Sequence, residues 1–297
     1  MEKQKIVPHL WFDKEAVAAA EFYISVFEDS MITHKSKIFD TPCGDCDIVE
    51  FSIMGYNFMA ISAGPLFKFN PSVSFMINFD PSRYSDARKR IDHVWEKLSA
   101  GGDVLMPIDK YPFSERYGWI QDKYGLSWQL IYTNPEGDER PVVIPSLLFA
   151  GNLCGKAEEA TNFYISVFKN SKRGAIARYP AKSEPNKEGT IMFTDFMLES
   201  RWFAAMDSAR EHNFTFNESI SFMVNCKDQN EINYFWEKLS AVPESEQCGW
   251  LKDKYGISWQ IIPENMGELM SRKPERTTPA MLRMKKIIIE DLKKAGE

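Results

Sequence analysis

Two carboxylates stand where they could take a proton from a bound molecule. Glu50 lies between Val49 and Phe51, and Asp195 precedes Phe196. Side chains alternate between the two faces of a strand, so these apolar neighbours indicate a core face and turn both carboxylates to the opposite face. We therefore predict that Glu50 and Asp195 line pockets and that Glu50 is a candidate general base. The alternative is a solvated acid on a half-open sheet.

An imidazole and an indole occupy similar positions near the start of the chain. If Leu10 and Phe12 face a helix, the same alternation turns His9 and Trp11 toward a pocket. The Trp11 ring could then stack on an aromatic or apolar ligand.

Two glutamines follow the same turn sequence in different parts of the chain. The tetrapeptide DKYG ends four residues before Gln129 and again four residues before Gln260. The neighbouring Trp128 and Trp259 share their parity with aliphatic residues, which predicts that they pack in the core. Gln129 and Gln260 are then predicted to line pockets.

Cysteine gives a weaker signal. Cys43 and Cys46 form C-G-D-C, but no second Cys or His pair stands at zinc-finger spacing, so a loop with two free thiols is favoured over a metal or redox site. Cys248 has no His near it in sequence. The chain has five Cys, an odd number, and its start lacks the pattern of a secretory signal. We therefore expect reduced thiols in a cytoplasmic protein.

The charge balance argues against some classes of partner. Acidic residues outnumber basic ones by 42 to 36, which gives a net charge of −6, and no basic stripe is interleaved with aromatic residues. This pattern predicts no nucleic-acid partner. No apolar stretch reaches the roughly 20 residues of a membrane-spanning helix, so no membrane partner is expected either.

An internal repeat organises all these candidates. FYISVF occurs at 22–27 and 163–168, and GWIQDKYGLSWQLI at 118–131 matches GWLKDKYGISWQII with ten identities in fourteen positions. The predicted domains are residues 1–133 and 145–263, joined by a polar linker at 134–144. Residues 264–297 form a tail with a predicted helix at 279–295, which starts at Pro279.

Periodicity predicts the elements that hold the candidates. Apolar residues at helical spacing predict two helices in each copy, around FYISVF and WEKLSA. The strands predicted in the first copy span residues 6–12, 32–39, 47–54, 57–62, 73–79, 102–106, 117–121 and 126–132. The order within each copy is therefore β-α-β-β-β, taken twice.

This order resembles that of the vicinal oxygen chelate superfamily, and the motifs PHLWFD, FYISVF, SFMIN and GW–DKYG–SWQ are similar to those of its PhnB-like branch. The resemblance implies an α+β protein of two tandem vicinal-oxygen-chelate domains. Each domain would be made of two βαβββ units, which form a curved, mainly antiparallel sheet around a concave pocket. It also implies an intramolecular pseudo-dimer and leaves a homodimer of the whole chain open.

The resemblance raises the question of a metal. Metal-dependent members such as glyoxalase I take ligands from the first and last strands of each unit. Here those positions offer His9 and Gln129, while the fourth strand offers only Ala60 and Ser62. Neither copy has four ligands, so no metal cofactor is expected. If a divalent metal binds, His9 and Gln129 are its predicted ligands.

Members of this branch often carry the label 3-demethylubiquinone-9 3-methyltransferase. The sequence contains no Gly-x-Gly, so the label is not carried over as an activity. The leading hypothesis is a small-molecule-binding protein whose pockets are lined by these residues: His9, Trp11, Glu50, Gln129, Asp195 and Gln260. The alternatives are a metal-dependent glyoxalase- or dioxygenase-type enzyme, and a drug-sequestering protein like the bleomycin-resistance relatives.

Overall fold

The computed structural model describes residues 4–41, 43–133 and 140–297. The described residues form fifteen strands: β1 Ile6–Phe12, β2 Met31–Thr41, β3 Gly44–Ile53, β4 Tyr56–Ser62, β5 Val73–Phe79, β6 Asp103–Tyr111, β7 Ser114–Gln121, β8 Ser127–Tyr132, β9 Val143–Ala150, β10 Lys172–Arg178, β11 Ile191–Leu198, β12 Arg201–Ser208, β13 Ile220–Cys226, β14 Trp250–Lys252 and β15 Ser258–Pro263. They also form seven α-helices: α1 Ala16–Val26, α2 Ala87–Ser99, α3 Ala157–Val167, α4 Gln229–Leu239, α5 Met266–Ser271, α6 Pro274–Leu282 and α7 Ile289–Ala295. The predicted strands of the first copy are all present, and β6 runs further than expected.

The strands form two mixed, mainly antiparallel sheets. The seven-stranded sheet has the order β14-β15-β13-β1-β4-β3-β2, and the eight-stranded sheet has the order β10-β11-β12-β9-β5-β8-β7-β6. Strand β1 occupies the centre of the first sheet, where it pairs antiparallel with β13 and parallel with β4. The α+β class and the repeated β-α-β-β-β plan are thereby confirmed.

The compact units cross the boundary between the two sequence copies. Unit 1 contains residues 1–24, 30–68 and 216–297, and unit 2 contains residues 25–29 and 69–215. Each sheet therefore takes its strands from both copies. The predicted domains 1–133 and 145–263 describe the repeat in the sequence, whereas each compact unit joins the first half of one copy to the second half of the other. Residues 134–139 of the predicted linker lie outside the described residues.

Helices cover one face of each sheet. In unit 1, α4 packs on β13, β14 and β15, and its N-terminus is capped by Asp228, which accepts from the Glu231 amide at 2.9 Å. In unit 2, α2 packs on β5, β7 and β8, while α3 packs on β11 and β12. Trp128 and Trp259 are buried on these helix-facing sides, with exposed fractions of 0% and 2%, which confirms their predicted core role.

The C-terminal tail departs from the prediction. Pro279 lies inside α6 rather than at a helix start, and the predicted helix over 279–295 is divided between α6 and α7. The segment between them contains a turn and bends, and two of its backbone carbonyls accept hydrogen bonds from the residues before β14. The amides of Cys248 and Gly249 donate to the carbonyls of Met284 and Lys285 at 2.8 and 2.7 Å. The seven-stranded sheet ends at β14, without a counterpart of β6, so the second copy lacks one predicted strand among the described residues.

All five cysteines are free thiols. Within the described ranges, the helices are too short or too polar to cross a bilayer.

Candidate functional site

The two DKYG turns fix the strands that carry the glutamines. One oxygen of Asp122 accepts from the backbone amides of Tyr124 and Leu126, and the other accepts from the Trp128 indole at 2.8 Å. Asp253 makes the same contacts in the second copy, including 2.8 Å to the Trp259 indole. Each turn therefore anchors a buried Trp on the helix side of its strand and turns the next residue, Gln129 or Gln260, to the opposite face.

Five side chains share one face of the sheet in unit 1, and we call this surface the site face. Glu50 pairs with Met59, Met59 pairs with His9, and His9 pairs with Ser221 across adjacent strands. Gln260 completes the row, because its amide nitrogen donates to the Ser221 hydroxyl at 2.9 Å. His9 and Glu50 therefore lie on the same face of the sheet, opposite the face that packs against the helices.

His9 is buried in this row, and one of its ring nitrogens lacks a hydrogen-bond partner among the described residues. Its side chain is 4% exposed, and Nδ1 has no hydrogen-bond partner among the described residues. Desolvation lowers the pKa of His9 from 6.5 to about 3, so the imidazole is neutral at physiological pH. A neutral imidazole in this position can accept or donate one hydrogen bond to a bound molecule.

Aromatic rings surround His9 on one side. The ring of Trp250 meets that of His9 edge to face with centroids 5.5 Å apart, and Trp11 meets Trp250 at 6.0 Å. Phe67 packs against Trp11 at 5.2 Å. The Trp11 indole is held in place because it donates to the Gly64 carbonyl at 2.8 Å. Trp11, Trp250 and Phe67 are half-buried, which leaves apolar surface beside His9 for a ligand.

The two glutamines differ in how fully their amides are bonded. In unit 2, Gln129 donates to the Ser74 hydroxyl at 2.7 Å and accepts from the Tyr117 hydroxyl at 2.7 Å. Burial raises the pKa of Tyr117 above its usual value, which keeps this phenol protonated as the donor. In unit 1, the residue aligned with Tyr117 is Cys248, and the oxygen of Gln260 has no described donor.

Asp195 lies on the corresponding face of unit 2, but its carboxylate is already bonded to groups of the protein. Its carboxylate forms a salt bridge to Nε of Arg140 at 2.7 Å and accepts from the Ala175 amide at 2.6 Å. The Arg140 guanidinium also lies over the Trp202 ring, 3.8 Å from its centroid. Gly174 makes room for this arrangement, because a Cβ there would overlap Asp195 and lie 2.7 Å from the Trp202 ring.

Glu50 contrasts with its counterpart. It is half-buried, and among the described residues its carboxylate makes neither a hydrogen bond nor an ion pair. His34 lies opposite Glu50 on the neighbouring strand, and its side chain is exposed. Among the described residues, Asp195 is held by groups of the protein and Glu50 is not.

His9 and Gln129, the predicted ligands of a bound metal, lie in different sheets. His9 belongs to the seven-stranded sheet of unit 1, and Gln129 belongs to the eight-stranded sheet of unit 2. The glutamine on the sheet of His9 is Gln260. The cause is the exchange of halves between the copies, which joins β1 of the first copy to β15 of the second.

On the fourth strand, Ala60 and Met59 lie on opposite faces of the sheet. Ala60 pairs with Leu10 and Val49 on the helix side and is fully buried, so it does not reach the site face. Met59 takes the position beside His9. The sequence YNFMAIS is too uniformly apolar for alternation to settle this register.

The donors of the site face do not fit a divalent metal of the glyoxalase type. Beside His9 stand the thioether of Met59, the hydroxyl of Ser221 and the neutral amide of Gln260. Zn, Ni, Mn and Fe sites of that type are built from His, Glu and Gln side chains, so of these four residues only His9 and Gln260 are suitable ligands, and two ligands do not make such a site. Across the described ranges, no three His, Cys, Asp or Glu side chains are grouped to hold a metal. We therefore assign no chemical step to a metal ion.

Sequence reasoning missed several residues of the two faces. Arg140 lies in a polar linker that gave no sign of a buried contact, and Phe67 lies in a loop. Trp202 and Ser221 could have been found by alternation along their strands, had the pairing of the halves been known.

Comparisons with known proteins agree with this architecture. A family model described as 3-demethylubiquinone-9 3-methyltransferase matches residues 4–131 and 141–262. No curated protein sequence matches the chain. Among solved structures, the PhnB protein of Bacillus cereus is 34% identical over 44% of this chain and 100% of its own, with a TM-score of 0.39.

Two longer structures match most of the chain. Glyoxalase I from Zea mays is 11% identical and covers 89% of this chain and 96% of its own, with a TM-score of 0.52. A proposed dioxygenase from Bacillus subtilis is 13% identical and covers 94% and 96%, with a TM-score of 0.51. At identities this low, the two matches show a shared fold and nothing further.

Proposed function

Since the chain belongs to the 3-demethylubiquinone-9 3-methyltransferase family, the PhnB-like branch of the vicinal oxygen chelate superfamily, we propose that it binds a small organic molecule on the site face of unit 1. The binding residues are His9, Trp11, Glu50 and Gln260. The proposal concerns binding and not methyl transfer, because the chain has no Gly-x-Gly turn for a nucleotide-like cofactor.

One observation carries the proposal: a carboxylate and a glutamine that are bonded within unit 2 have counterparts in unit 1 without a partner among the described residues. Asp195 has Arg140 and Gln129 has Tyr117, whereas Glu50 and the oxygen of Gln260 have no described partner. The buried Nδ1 of His9 adds a third unsatisfied group. A buried unsatisfied atom such as Nδ1 of His9 costs about 1–3 kcal/mol, and a ligand that supplies its missing partner recovers that cost.

The aromatic residues support the same site. Trp11, Trp250 and Phe67 offer half-buried ring surface next to the unsatisfied polar groups. Apolar walls with a few placed polar groups are typical of small-molecule sites.

The test is a thermal-shift and tryptophan-fluorescence screen of small aromatic and polar molecules against the full chain. A true ligand at a hundredfold excess over its Kd should stabilise the fold by about 2.7 kcal/mol. Trp250 and Trp119 are counterparts in the two copies, which provides a matched control. Trp250→Phe should weaken binding and Trp119→Phe should not. Hits that depend on Trp119 alone, or a screen with no hit, would contradict the proposal.

The same ligand separates sequestration from catalysis. Mass spectrometry of the ligand after incubation with the protein shows whether it is returned unchanged. Unchanged ligand supports sequestration, and a product that disappears in Glu50→Gln supports proton transfer by Glu50.

We also propose that the two copies act as a pseudo-dimer within one chain. This proposal is supported by the composition of the sheets, each of which needs strands from both copies. It predicts that the two halves of a chain cleaved between the copies stay together.

A further inference from the structure

We propose that the ligand of unit 1 carries a planar aromatic ring, which takes the place of the Trp250 ring beside His9 while the Trp250 indole moves to the Ser258 hydroxyl. This inference rests on the binding function proposed above, to which it adds a class of ligand and a side chain that makes room for it.

Unit 2 shows a second position for the indole of this motif. The indole of Trp119 donates to the Ser127 hydroxyl at 2.8 Å, and Ser127 is fully buried. The counterparts in unit 1 are Trp250 and Ser258, which lie in the matching motif GW–DKYG–SW. The strands of the two hairpins pair in the same register, so the two tryptophans leave the backbone at equivalent positions.

The equivalent hydrogen bond is not made in unit 1. The Ser258 hydroxyl is 1% exposed and has no hydrogen-bond partner among the described residues. The Trp250 ring lies instead against His9, edge to face with an interplanar angle of 88°, and against Trp11. Because the backbone register is the same, the difference between the two units lies in the side-chain torsions of the tryptophan.

The residue at the position of His9 accounts for this difference. Unit 2 has Ser146 there, which offers no ring to the indole. In unit 1, the rings of His9 and Trp11 compete with the Ser258 hydroxyl for Trp250. An aromatic pair and an indole hydrogen bond contribute free energies of similar size, so the two positions of Trp250 are close in free energy. A ligand that binds better to one of them therefore shifts the population toward it.

A planar ring with a hydroxyl group suits the position that Trp250 leaves. When Trp250 moves, its indole supplies the partner that the Ser258 hydroxyl lacks. A ring of about the size of an indole then replaces the contacts with His9 and Trp11. A hydroxyl both donates and accepts, so it can also serve the unpartnered Nδ1 of the neutral His9. Two buried groups without partners are thus satisfied in one step.

The first part of the test needs no ligand. The indole N–H signals of Trp119 and Trp250 are followed in proton–nitrogen NMR spectra of the full chain and assigned with Trp119→Phe and Trp250→Phe. In the free protein, Ser127→Ala should shift the Trp119 signal, because it removes the acceptor of that indole, whereas Ser258→Ala should leave the Trp250 signal in place. Shifts of comparable size would overturn the free position assigned to Trp250.

The second part uses α-naphthol and its fully saturated analogue as probes, since both carry one hydroxyl but only the first is planar. Binding to the full chain is followed by calorimetry. The saturated compound is at least as apolar, so burial of apolar surface alone would not favour α-naphthol. We expect α-naphthol to bind at least about fivefold more tightly. Ser258→Ala should weaken its binding about two- to tenfold, because the bound state loses the indole hydrogen bond, and the matched control Ser127→Ala should not change it.

Three results with the probes would also overturn the inference: equal binding of both compounds, an unchanged affinity in Ser258→Ala, or no binding of α-naphthol at millimolar concentration. Its failure is distinguishable from that of the proposed function. If other molecules bind in a Trp250-dependent way and Ser258→Ala has no effect, binding in unit 1 stands and only the movement of Trp250 is wrong. If no molecule binds through Trp250, both fail.

Discussion

Replacing His9 with leucine should change the pH dependence of stability. The folded chain holds His9 with a pKa of about 3, whereas the unfolded chain has the ordinary value of 6.5. As the pH falls through 6.5, the unfolded state takes up a proton on this residue and the folded state does not. The contribution of His9 to the free energy of unfolding therefore has its full value above pH 6.5 and is lost as the pH falls from 6.5 toward 3.

The magnitude follows from the two pKa values. Between pH 7 and pH 5, the protonated fraction of His9 in the unfolded chain rises from about one quarter to nearly all, while the folded chain stays neutral. This uptake lowers the free energy of unfolding by about 2 kcal/mol over the interval. His9→Leu fills the same apolar surroundings without a titrating group, so it should lack this part of the decline.

The assay is urea denaturation of wild type and variant at pH 7, 6 and 5. We expect the stability of wild type relative to His9→Leu to fall by about 2 kcal/mol from pH 7 to pH 5. His93→Asn, which changes an exposed side chain on α2, serves as the control and should follow wild type. Parallel curves for wild type and His9→Leu would refute the buried, neutral state assigned to His9.

Three further predictions concern the fold. Gly174→Ala should lower the free energy of unfolding by about 1–3 kcal/mol in urea denaturation, because the added Cβ overlaps Asp195; Gly267→Ala, which meets no atom within 4 Å in α5, should not destabilise. Asp253→Ala should cost about 3 kcal/mol or more by the same assay, since it leaves the Trp259 indole and two backbone amides without an acceptor, and a loss below 1 kcal/mol would contradict this role. A protease site placed at 134–139 should give two fragments that stay together on native size-exclusion chromatography, because both sheets contain strands of both copies; fragments that separate without denaturant would refute the exchange of halves.

The plan of the fold could be predicted because the repeated motifs carry local rules. Leu10 and Phe12 alternate with His9 and Trp11, and this alternation placed the site face of β1 correctly. The DKYG turn gave the strand after it, and the structure shows that its Asp anchors the Trp of the same motif.

The pairing of the halves could not be predicted from one sequence. Both copies carry nearly the same motifs, so the hydrophobic pattern of β15 suits either β13–β1 or β5–β9 as a neighbouring sheet. The choice depends on contacts between segments more than a hundred residues apart, which leave no local signal. For this reason His9 was paired with Gln129 rather than with Gln260, and Arg140 was not recognised as a partner of Asp195.

The exchange of halves also explains how two similar sheets can differ in chemistry without a loss of fold. Each face draws one half of its residues from each copy, so His9 in the first copy and Cys248 in the second both change unit 1 only. In unit 2, Arg140 bonds the carboxylate of Asp195 and Tyr117 bonds the oxygen of Gln129. In unit 1, the counterparts Glu50 and Gln260 lack such partners among the described residues, and His9 stands where unit 2 has Ser146. The same fold thus carries two faces of different chemistry, because each face is assembled from one half of each copy and changes independently of the other.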